Sequence, residues 1–542
     1  MKMFSFDFNR SIQDIFNKKI KIDKKINWNQ WLKIHSKEEY EELAFKLSGI
    51  ANNDDHINDL NTIKTNSRNF AVEIVNYLNN EIIDDFEIFC HTSGTTDAKI
   101  SNLKWFHMND DMIKNIWIPG MTAIFESSGL NHNSSAIIFV PSRTSMDGIK
   151  THKERKYVSL YSSEFSQRVV ISIIKPKQYL FYEYKDAFNL EILTRILSME
   201  SPSVISAPAA IILGWADLER LKRGIAKSLR DTSEFTEYSS EIYNYIKKEG
   251  LHDGVNKLKR LLSEKISSCT LIFSTSSLKK QQWSSISDFM NWEDDKKNFT
   301  NLYVASEIGP FACNLTSEIA KNNELYVFPL TIPSIEAKGK IEIISRTKEK
   351  RGVLLVSYIN KLNPRINIET GDVITIKNNE SGLPLIGGTI VRNNFRLKYP
   401  MKISPIVKPD SNYDLFVGDY FSFQELEIYD PKSIIECLKG ETDLLSDSLL
   451  LKKNKEKSKH SFELFFSTKE KINNDFSLRI SNCLKEKQLS NAIKTGIINF
   501  RAIPEKIIEF KNPRSELLEK VRNGSVPKGI LKKWPFYVLK IK

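Results

Sequence analysis

The alternation of short β-type apolar runs with helical segments is the feature that most constrains this fold. β-branched and aromatic residues concentrate in runs that predict strands: Phe86–Cys90, Ser135–Val140, Val169–Ile174, Ser203–Ser206, Leu271–Ser274 and Asn301–Val304. Between these runs, Trp105–Trp117 and Leu190–Met199 have the apolar spacing of helices. Because strands that alternate with helices are typical of sheets covered by helices, the pattern predicts an α/β fold.

Changes in residue composition and periodicity along the chain predict its domain organisation. Residues 1–86 are mostly helical in pattern, with Ile12 and Phe16 at helical spacing. Residues 215–265 are highly charged with helical periodicity, which predicts a helical insertion on the α/β core. Residues 324–391 are rich in β-type runs and predict a β-rich subdomain.

A distinct C-terminal unit is expected after residue 398. It contains a predicted strand at Phe462–Phe466, a helix at Phe476–Lys485 and a strand at Ile497–Ala502. We therefore expect a large N-terminal domain over residues 1–398, made of α/β sheet subdomains plus the β-rich subdomain. A smaller, mobile α+β domain is expected over residues 399–542.

Composition excludes several classes of protein. With 41% hydrophobic and 27% charged residues, the chain is neither disordered nor collagen-like. Its 5 cysteines are scattered without CxxC spacing, which argues against a disulfide framework and a Cys-rich zinc site. Apolar runs such as Ala209–Trp215 are far shorter than the roughly 20 residues of a membrane span, and Met1–Arg10 has no continuous apolar core of a signal peptide. We expect a cytoplasmic protein.

The net charge does not by itself indicate a nucleic-acid partner. Lys and Arg number 79 against 67 Asp and Glu, a balance of +12 that is spread along the chain. Because no basic stripe is interleaved with aromatic residues, nucleic-acid binding is only a minor alternative.

A loop of small hydroxylated residues follows the first predicted strand. It consists of Thr92, Ser93, Gly94, Thr95 and Thr96, with Lys99 shortly after it. Such a loop offers backbone N–H groups and hydroxyls to a phosphate, and a glycine permits the close approach of the backbone. A nearby lysine would neutralise a leaving pyrophosphate. The loop is not a Walker A motif, and an ordinary polar connection between a strand and a helix is the alternative.

A second candidate motif is Asn301–Glu307. Tyr303, near a strand end, can present an aromatic face to a base. Ser306 beside Glu307 suits a contact between phosphate and Mg²⁺, because Mg²⁺ prefers oxygen ligands from one or two carboxylates plus phosphate. Taken alone, Glu307 also fits a solvated loop carboxylate.

Two further motifs follow in the chain. The segment Thr370–Asp372 predicts a turn after a strand, which can aim Asp372 at a ribose diol. The alternative is a common turn in which the aspartate binds backbone amides. Arg392 lies further on and can pair with a phosphate oxygen.

The order and spacing of these motifs resemble the acyl-adenylate-forming superfamily of acyl-CoA ligases, peptide-synthetase adenylation domains and luciferases. The closer resemblance is to phenylacetate–CoA ligase and its relatives. Pro364–Asp372 is similar to their P-x-I-R-Y-x-T-G-D motif, with Asn367 and Ile368 at the Arg-Tyr positions. Pro513–Arg522 is similar to their Pro-Arg-Ser-Glu-Gly-Lys run, with two extra residues.

The resemblance implies roles for residues around the phosphates. It assigns the triphosphate to residues of one loop, namely Thr92, Ser93, Gly94, Thr95, Thr96 and Lys99. It assigns Ser306 to the α-phosphate and Glu307 to Mg²⁺. Lys520 would reach in from the C-terminal domain to stabilise the transition state of acyl-adenylate formation.

The resemblance also implies roles around the nucleoside. Tyr303 would stack on adenine, and Asp372 would bind the ribose. Arg392 would contact ribose or phosphate near the hinge to the C-terminal domain. Ser276 lies in Ser274–Leu278, where these enzymes have a turn that lines the adenine and acyl pocket.

The chain departs from the family pattern at several positions. Asp97 and Val304 stand where glycines are expected, and Glu519 replaces the glycine before Lys520. Lys528 and Lys532 are therefore alternatives for the catalytic lysine.

The resemblance implies an enzyme that uses ATP and Mg²⁺ to convert a carboxylic acid to an acyl-adenylate. The acyl group would then pass to a thiol, CoA by default or a carrier protein. Three alternatives stay open: transfer to an amine, a degenerate nucleotide-binding protein without turnover, and a basic scaffold that binds nucleic acid or a partner through residues 215–265. The sequence names neither the acid nor the oligomeric state.

Overall fold

The structure is a computed structural model, and it describes most of the chain. The described residues are 3–20, 36, 38–39, 42, 56–80, 86–92, 103–143, 146–231, 237–274, 278, 280–293, 298–314, 324–344, 349–358, 365–377, 383–396, 406–407, 412–429, 431–445, 448–454, 460–484, 487–503 and 536–541. The chain forms two compact units, one over Met1–Thr92, Lys104–Thr370 and Ile374–Gly388, the other over Ser93–Leu103, Gly371–Val373 and Thr389–Lys542.

The helices and strands alternate through the first unit and recur in the second. The helices are α1 (Met3–Lys19), α2 (His56–Thr62), α3 (Ile74–Asn80), α4 (Ile118–Ser127), α5 (Ser162–Ile174), α6 (Leu190–Ser198), α7 (Ala209–Ala216), α8 (Leu218–Asp231), α9 (Glu237–Glu249), α10 (Leu251–Ile266), α11 (Lys280–Phe289), α12 (Pro431–Glu441), α13 (Asn474–Cys483) and α14 (Lys487–Lys494). The strands are β1 (Glu87–His91), β2 (Trp105–His107), β3 (Ser135–Val140), β4 (Gly148–His152), β5 (Arg155–Tyr161), β6 (Gln178–Glu183), β7 (Pro202–Ser206), β8 (Thr270–Ser274), β9 (Phe299–Ala305), β10 (Gly309–Cys313), β11 (Leu325–Val327), β12 (Ile332–Ala337), β13 (Lys340–Ile343), β14 (Lys350–Tyr358), β15 (Arg365–Lys377), β16 (Leu385–Arg392), β17 (Phe395–Arg396), β18 (Tyr413–Val417), β19 (Tyr420–Ser422), β20 (Glu427–Tyr429), β21 (Leu449–Lys453), β22 (Phe462–Phe466), β23 (Ile498–Ala502) and β24 (Phe536–Ile541).

A large sheet separates two hydrophobic cores. Its 12 strands run in the order β13-β12-β14-β15-β16-β11-β10-β9-β8-β7-β3-β6, and β6, β3, β7, β8 and β9 are parallel neighbours. Side chains alternate across a strand, so Ala136, Ile138 and Val140 of β3 join the core that contains α1, α4 and α5. Ile137 and Phe139 join the core on the other face, with α6, α7, α8, α10 and α11. The predicted mixed α/β fold is confirmed.

A smaller sheet of the first unit holds the first candidate motif. Its four strands have the order β2-β1-β5-β4. β1 is parallel to β5, with His91 opposite Tyr161, so both strands end at the same edge. The chain continues from these ends into Thr92 and into Ser162 at the start of α5. This edge is therefore where the predicted phosphate loop begins.

The second unit has its own sheet and core. Six strands run in the order β17-β18-β24-β21-β22-β23, and the core includes Ile435 of α12, Phe476 of α13 and Leu489 of α14. Cys437 of α12 and Cys483 of α13 form a disulfide. The two cysteines are 46 residues apart and form no recognisable motif, and the sequence did not predict this pair.

The prediction of a strand at Val169–Ile174 is wrong, because the segment completes helix α5. Val169 and Val170 are fully buried against α1, α4 and the sheet, and tertiary packing overrides the β preference of the run. In the sheet, β3 already pairs with β6 on one side and β7 on the other, so Val169–Ile174 could not pair with β3 as a strand.

The predicted helix at Trp105–Trp117 is wrong in its first part. Trp105–His107 is strand β2, which pairs antiparallel with β1. Helical structure begins at Asp110, after Asn109 accepts a 2.9 Å hydrogen bond from the N–H of Met112 as an N-cap. A π-helical segment, Ile113–Trp117, then leads into α4.

Other predicted elements agree with the structure. Helices make up most of the described part of residues 215–265, and strands make up most of the described part of residues 324–391. Those strands join the 12-stranded sheet. None of the described helices is long and apolar enough to cross a membrane.

Candidate nucleotide site

The carboxyl end of β1 brings Thr92 to the site. The N–H of Thr92 donates a 3.1 Å hydrogen bond to the carbonyl oxygen of Lys104, so the chain before and after the predicted loop is held together. The remaining loop candidates lie outside the described residues: Ser93, Gly94, Thr95, Thr96 and Lys99.

The predicted Ser-Glu pair lies beside the start of this loop. Ser306 follows β9, and its Oγ is 2.9 Å from Oγ of Ser162 and 3.5 Å from the carbonyl oxygen of His91. The contact joins residues 215 positions apart in the sequence. Ser306 and Glu307 are 4% and 7% exposed, so neither is the solvated loop residue of the alternative interpretation.

Lys104 is a cation of the site that the sequence did not single out. Its Nζ lies 4.0 Å from Oε1 of Glu307 and donates a 2.5 Å hydrogen bond to Oγ of Ser67. A positive charge at this distance offsets the cost of burying the Glu307 carboxylate. No motif marks Lys104, because only the fold places it beside Glu307, in the turn that follows β9.

His91 and Asp147 form a second buried pair that sequence reasoning missed. His91 Nε2 lies 2.7 Å from Oδ1 of Asp147, and the two side chains are 4% and 1% exposed. His91 Nδ1 lies 2.9 Å from the carbonyl oxygen of Thr92. The rings of Trp105 and Tyr161 lie beside the imidazole, at centroid distances of 4.8 and 5.4 Å.

A buried ionic network supports this edge through α5. Arg143 donates to both carboxylate oxygens of Glu164, at 2.8 and 2.6 Å, and Arg168 also donates to Glu164. Burial by itself raises the pKa of Glu164, but the guanidinium groups of Arg168 and Arg143 outweigh it and lower that pKa. Glu164 therefore remains ionised, pairs with Arg168 of the same helix and holds Arg143 against α5.

The thiol of Cys90, next to His91 in β1, is in an environment that makes it unreactive. Its side chain is fully buried, and burial raises the pKa of the thiol well above its usual value. The charges of Asp147 and Glu164 raise it further. The thiolate needed for nucleophilic chemistry is therefore disfavoured at this position.

Tyr303 lies in β9, just before the Ser-Glu pair. It is 3% exposed, and its ring meets Phe311 edge-on at a centroid distance of 5.3 Å. Its role at adenine stays a prediction.

The predicted turn at Thr370–Asp372 is wrong in its local structure, because these residues lie within the continuous strand β15. Gly371 has a φ of +77°, a backbone geometry that favours glycine and interrupts the regular pleat. Asp372 is 3% exposed. The N–H of Asn393, the residue after Arg392, donates a 2.9 Å hydrogen bond to the carbonyl oxygen of Gly371.

Other motif residues have distinct positions. Asn367, at the family's arginine position, is fully buried and donates 2.7 Å hydrogen bonds to the carbonyl oxygens of Leu60 and Ile63. Arg392 ends β16, and its side chain lies outside the described part of the structure. Further candidates also lie outside the described residues: Ser276, Lys520, Lys528 and Lys532.

Among the described residues, no group of three His, Cys, Asp or Glu side chains could hold a metal ion. A magnesium ion bound by one carboxylate and phosphate oxygens does not require such a group.

Comparison with known proteins bears on the fold. No protein-family model matches the sequence, and no curated protein matches it. A structure of 2-hydroxyisobutyryl-CoA ligase in an open conformation, in complex with 2-HIB-AMP and CoA, is similar over 88% of this chain and 85% of that chain, with a TM-score of 0.50 and 11% identity. An acyl acid amido synthetase in complex with 2,4-DB matches over 95% of both chains, with a TM-score of 0.47 and 11% identity. The chain has the fold of the acyl-adenylate-forming ligases, the superfamily that its motifs resemble.

Proposed function

We propose that this protein is an enzyme that activates a carboxylic acid with ATP and transfers the acyl group to a thiol. The observation that carries the proposal is the convergence of two motifs far apart in the chain. Ser306 lies against the end of β1, where Thr92 opens the predicted phosphate loop, and Glu307 follows it and lies 4.0 Å from Lys104. Hydroxyl and carboxylate oxygens beside such a loop can bind the phosphates of a nucleoside triphosphate and its metal ion.

In the proposed reaction, a carboxylate oxygen of the acid attacks the α-phosphorus of ATP. The bond from that phosphorus to the bridging oxygen breaks, and pyrophosphate leaves with the electron pair. The protein contributes positioning and charge stabilisation more than covalent chemistry. We assign pyrophosphate to Thr92, Ser93, Gly94, Thr95, Thr96 and Lys99.

The other predicted roles are retained in the proposal. Ser306 contacts the α-phosphate, and Tyr303 and Ser276 line the adenine pocket. Asp372 binds the ribose, Arg392 binds ribose or phosphate, and Lys520 assists adenylation. In this proposal the N-terminal domain over residues 1–398 binds ATP, and a mobile domain over residues 399–542 brings Lys520 to it.

The carboxylate of Glu307 fits a magnesium ion. It is a hard oxygen ligand of the kind that Mg²⁺ prefers beside phosphate, and it lies next to Ser306, which we assign to the α-phosphate. When bound, the ion neutralises charge that develops on the phosphates. Lys104, 4.0 Å from Glu307, adds a positive charge at the same place.

The acceptor that we propose is the thiol of CoA, with a carrier-protein thiol as the second choice. The motif resemblance to phenylacetate–CoA ligases supports CoA, and an amine is the alternative acceptor. We place the activity in the cytoplasm.

Exchange of labelled pyrophosphate into ATP, measured across a panel of carboxylic acids, tests the proposal. We expect exchange that depends on one class of acid and on Mg²⁺. Acyl-CoA formation, acylated carrier protein and amide formation, separated by mass spectrometry, then identify the acceptor. ATP binding without exchange for any acid would favour the degenerate nucleotide-binding alternative.

A further inference from the structure

The helices that cover one face of the large sheet line a cleft that the proposed reaction does not use. Its volume is about 810 Å³, within the range of about 300–1,000 Å³ that is typical of small-molecule sites. The cleft is lined by α7, α8, α10 and α11, which pack on the face of the sheet opposite α5. Because Ser306 contacts Ser162 at the start of α5, the cleft and the candidate nucleotide site lie on different sides of the sheet.

Helix α10 presents a polar face to this cleft. Asn256, Lys259 and Ser263 have the spacing i, i+3, i+7, which places them on one side of the helix, and all three line the cleft. Leu258 and Leu262 are fully buried and pack into the core between the helices and the sheet. The apolar side of α10 therefore holds the helix on the sheet, and its polar side is left for a ligand.

Three cationic side chains line the cleft, namely Arg220, Lys259 and Arg260. No carboxylate pairs with Lys259 among the residues that the structure describes. Nε of Arg260 lies 3.7 Å from Oε1 of Glu264, but the two side chains are 71% and 60% exposed, and such a pair contributes little to stability. Lys259 and Arg260 can therefore turn to an anionic ligand at small cost.

Two carboxylates also line the cleft, and they do not cancel its positive charge. Oδ1 of Asp217 accepts a 3.1 Å hydrogen bond from the N–H of Arg220, so this carboxylate already binds the first turn of α8. Asp288 is the other carboxylate. Three cations against two carboxylates leave an excess of positive charge, which favours an anion.

The side chain of Arg220 is held in place before any ligand binds. Its guanidinium carbon lies 5.4 Å from the centroid of the Phe188 ring, a cation–π contact. Gly214 of α7 makes room for both groups, because a Cβ atom there would lie 2.5 Å from Cζ of Phe188 and 3.0 Å from Nε of Arg220. Binding an anion therefore costs less side-chain entropy at Arg220 than at a free surface arginine.

The cleft also offers apolar surface and neutral hydrogen-bonding groups. Leu213 and Phe289 supply the apolar surface, and the amide of Gln282 and the hydroxyl of Ser285 lie on α11. An inorganic ion would fill only a small part of about 810 Å³. Arginine and lysine together bind phosphate well, because the planar guanidinium fork matches two phosphate oxygens and the ammonium adds a compact charge.

We propose that this cleft binds a phosphate monoester of a small organic molecule. Arg220, Lys259 and Arg260 hold the phosphate, and the organic part packs against Leu213 and Phe289. The site is separate from the proposed adenylation site, and the inference does not rest on the proposed function.

Calorimetry with phenyl phosphate tests the site, with inorganic phosphate and phenol as partial probes. We expect the wild type to bind phenyl phosphate at least about 10-fold more tightly than either partial probe, because each has only one of the two groups that the cleft recognises. Arg220→Gln and Lys259→Gln should each weaken phenyl phosphate binding roughly 10-fold or more. The matched controls are Arg223→Gln and Lys227→Gln, which remove exposed cations of α8 that do not line the cleft, and they should keep the wild-type affinity.

A further variant and a mapping experiment locate the bound probe. Asn256→Trp places a large ring in the cleft from an exposed position of α10 and should block phenyl phosphate without removing a cation. Hydrogen exchange followed by mass spectrometry should show protection by phenyl phosphate in α8 and α10 and none around Ser306.

Several results would overturn the proposal. They are the absence of phenyl phosphate binding, equal affinity for inorganic phosphate, equal losses in the two controls, and protection confined to the segment around Ser306. None of these results bears on pyrophosphate exchange, so this inference and the proposed function fail independently.

Discussion

Glu307 and Asp372 are the acidic side chains on which the proposed chemistry depends most. They are only 7% and 3% exposed. Burying a carboxylate costs free energy unless hydrogen bonds or opposite charges offset the loss of water. At Glu307, Lys104 supplies such a charge at 4.0 Å.

Glu307→Gln should abolish acyl-adenylate formation while the protein stays folded. The amide keeps the shape of the side chain but loses the charge that holds Mg²⁺ beside the phosphates, and we expect exchange to fall at least about 100-fold. Pyrophosphate exchange at increasing Mg²⁺ measures the effect. The control is Glu342→Gln, which removes the carboxylate of the Lys350 ion pair on a half-exposed strand. Near-normal exchange in Glu307→Gln would exclude Glu307 from the metal site.

Asp372→Ala should raise the KM for ATP strongly. Two charge-assisted hydrogen bonds to the ribose diol would be lost, each worth about 1.5–3 kcal/mol. The matched comparison uses 2′,3′-dideoxy-ATP: the wild type should bind it much more weakly than ATP, whereas Asp372→Ala should bind both equally. A variant that still discriminates between the two nucleotides would reduce Asp372 to a structural residue of β15.

At the scale of single elements, helix α5 depends on a buried ionic network. Glu164 and Arg168 are each about 1% exposed, and Arg143 bonds to the same carboxylate. Gln13 of α1 adds a 2.8 Å hydrogen bond to Ser172 of α5. The network joins α1, α5 and the segment after β3, which together support the edge where β1 and β5 end.

Glu164→Gln should destabilise the protein by about 3–5 kcal/mol, because two buried guanidinium groups would lose their counter-charge. The control, Glu191→Gln, breaks a Glu–Arg pair of the same i,i+4 spacing on α6, where Arg195 is 35% exposed. That change should cost only about 0.2–0.5 kcal/mol. Urea unfolding measures both. Equal effects would mean that burial does not strengthen the dependence on Glu164.

The same network predicts how stability responds to acid. The pKa of Glu164 is lower in the folded protein than its ordinary value near 4.5, so the unfolded chain binds protons first as the pH falls. The contribution of ionised Glu164 to stability is fully present above its ordinary pKa. It is lost as the pH falls through the lower pKa that Glu164 has in the folded protein. Melting temperatures between pH 7 and pH 3 should fall less steeply for Glu164→Gln than for the wild type. Parallel curves would contradict this.

At the scale of the whole molecule, the proposed cycle needs a second domain that changes position between half-reactions. Lys520→Ala should cripple adenylation and leave transfer from a supplied acyl-adenylate largely intact, because a cation near the α-phosphate serves only the first step. Single-turnover assays of the two steps measure this. Lys528→Ala and Lys532→Ala are the matched variants. A selective loss of adenylation in either of them would assign the catalytic role to that lysine instead of Lys520.

Local pattern predicted many of the elements correctly. β3, β7, β8 and β9 were recognisable because β-branched runs of five to seven residues fit a sheet that is covered on both faces. The motif order predicted the fold shared with acyl-adenylate-forming ligases. Local pattern failed at Val169–Ile174, where a β-branched run completes a helix because packing on every side outweighs its intrinsic preference.

The sequence by itself determined the α/β class, the boundaries of many strands and helices, and the candidate motifs, because each depends on neighbouring residues and their periodicity. Only the tertiary structure decided which distant side chains meet. The contacts of His91 with Asp147, of Ser306 with Ser162 and of Lys104 with Glu307 span 56, 144 and about 200 residues. Such contacts depend on strand order and register, which no short stretch of sequence contains, because these residues lie in or next to strands and helices that are far apart in the chain.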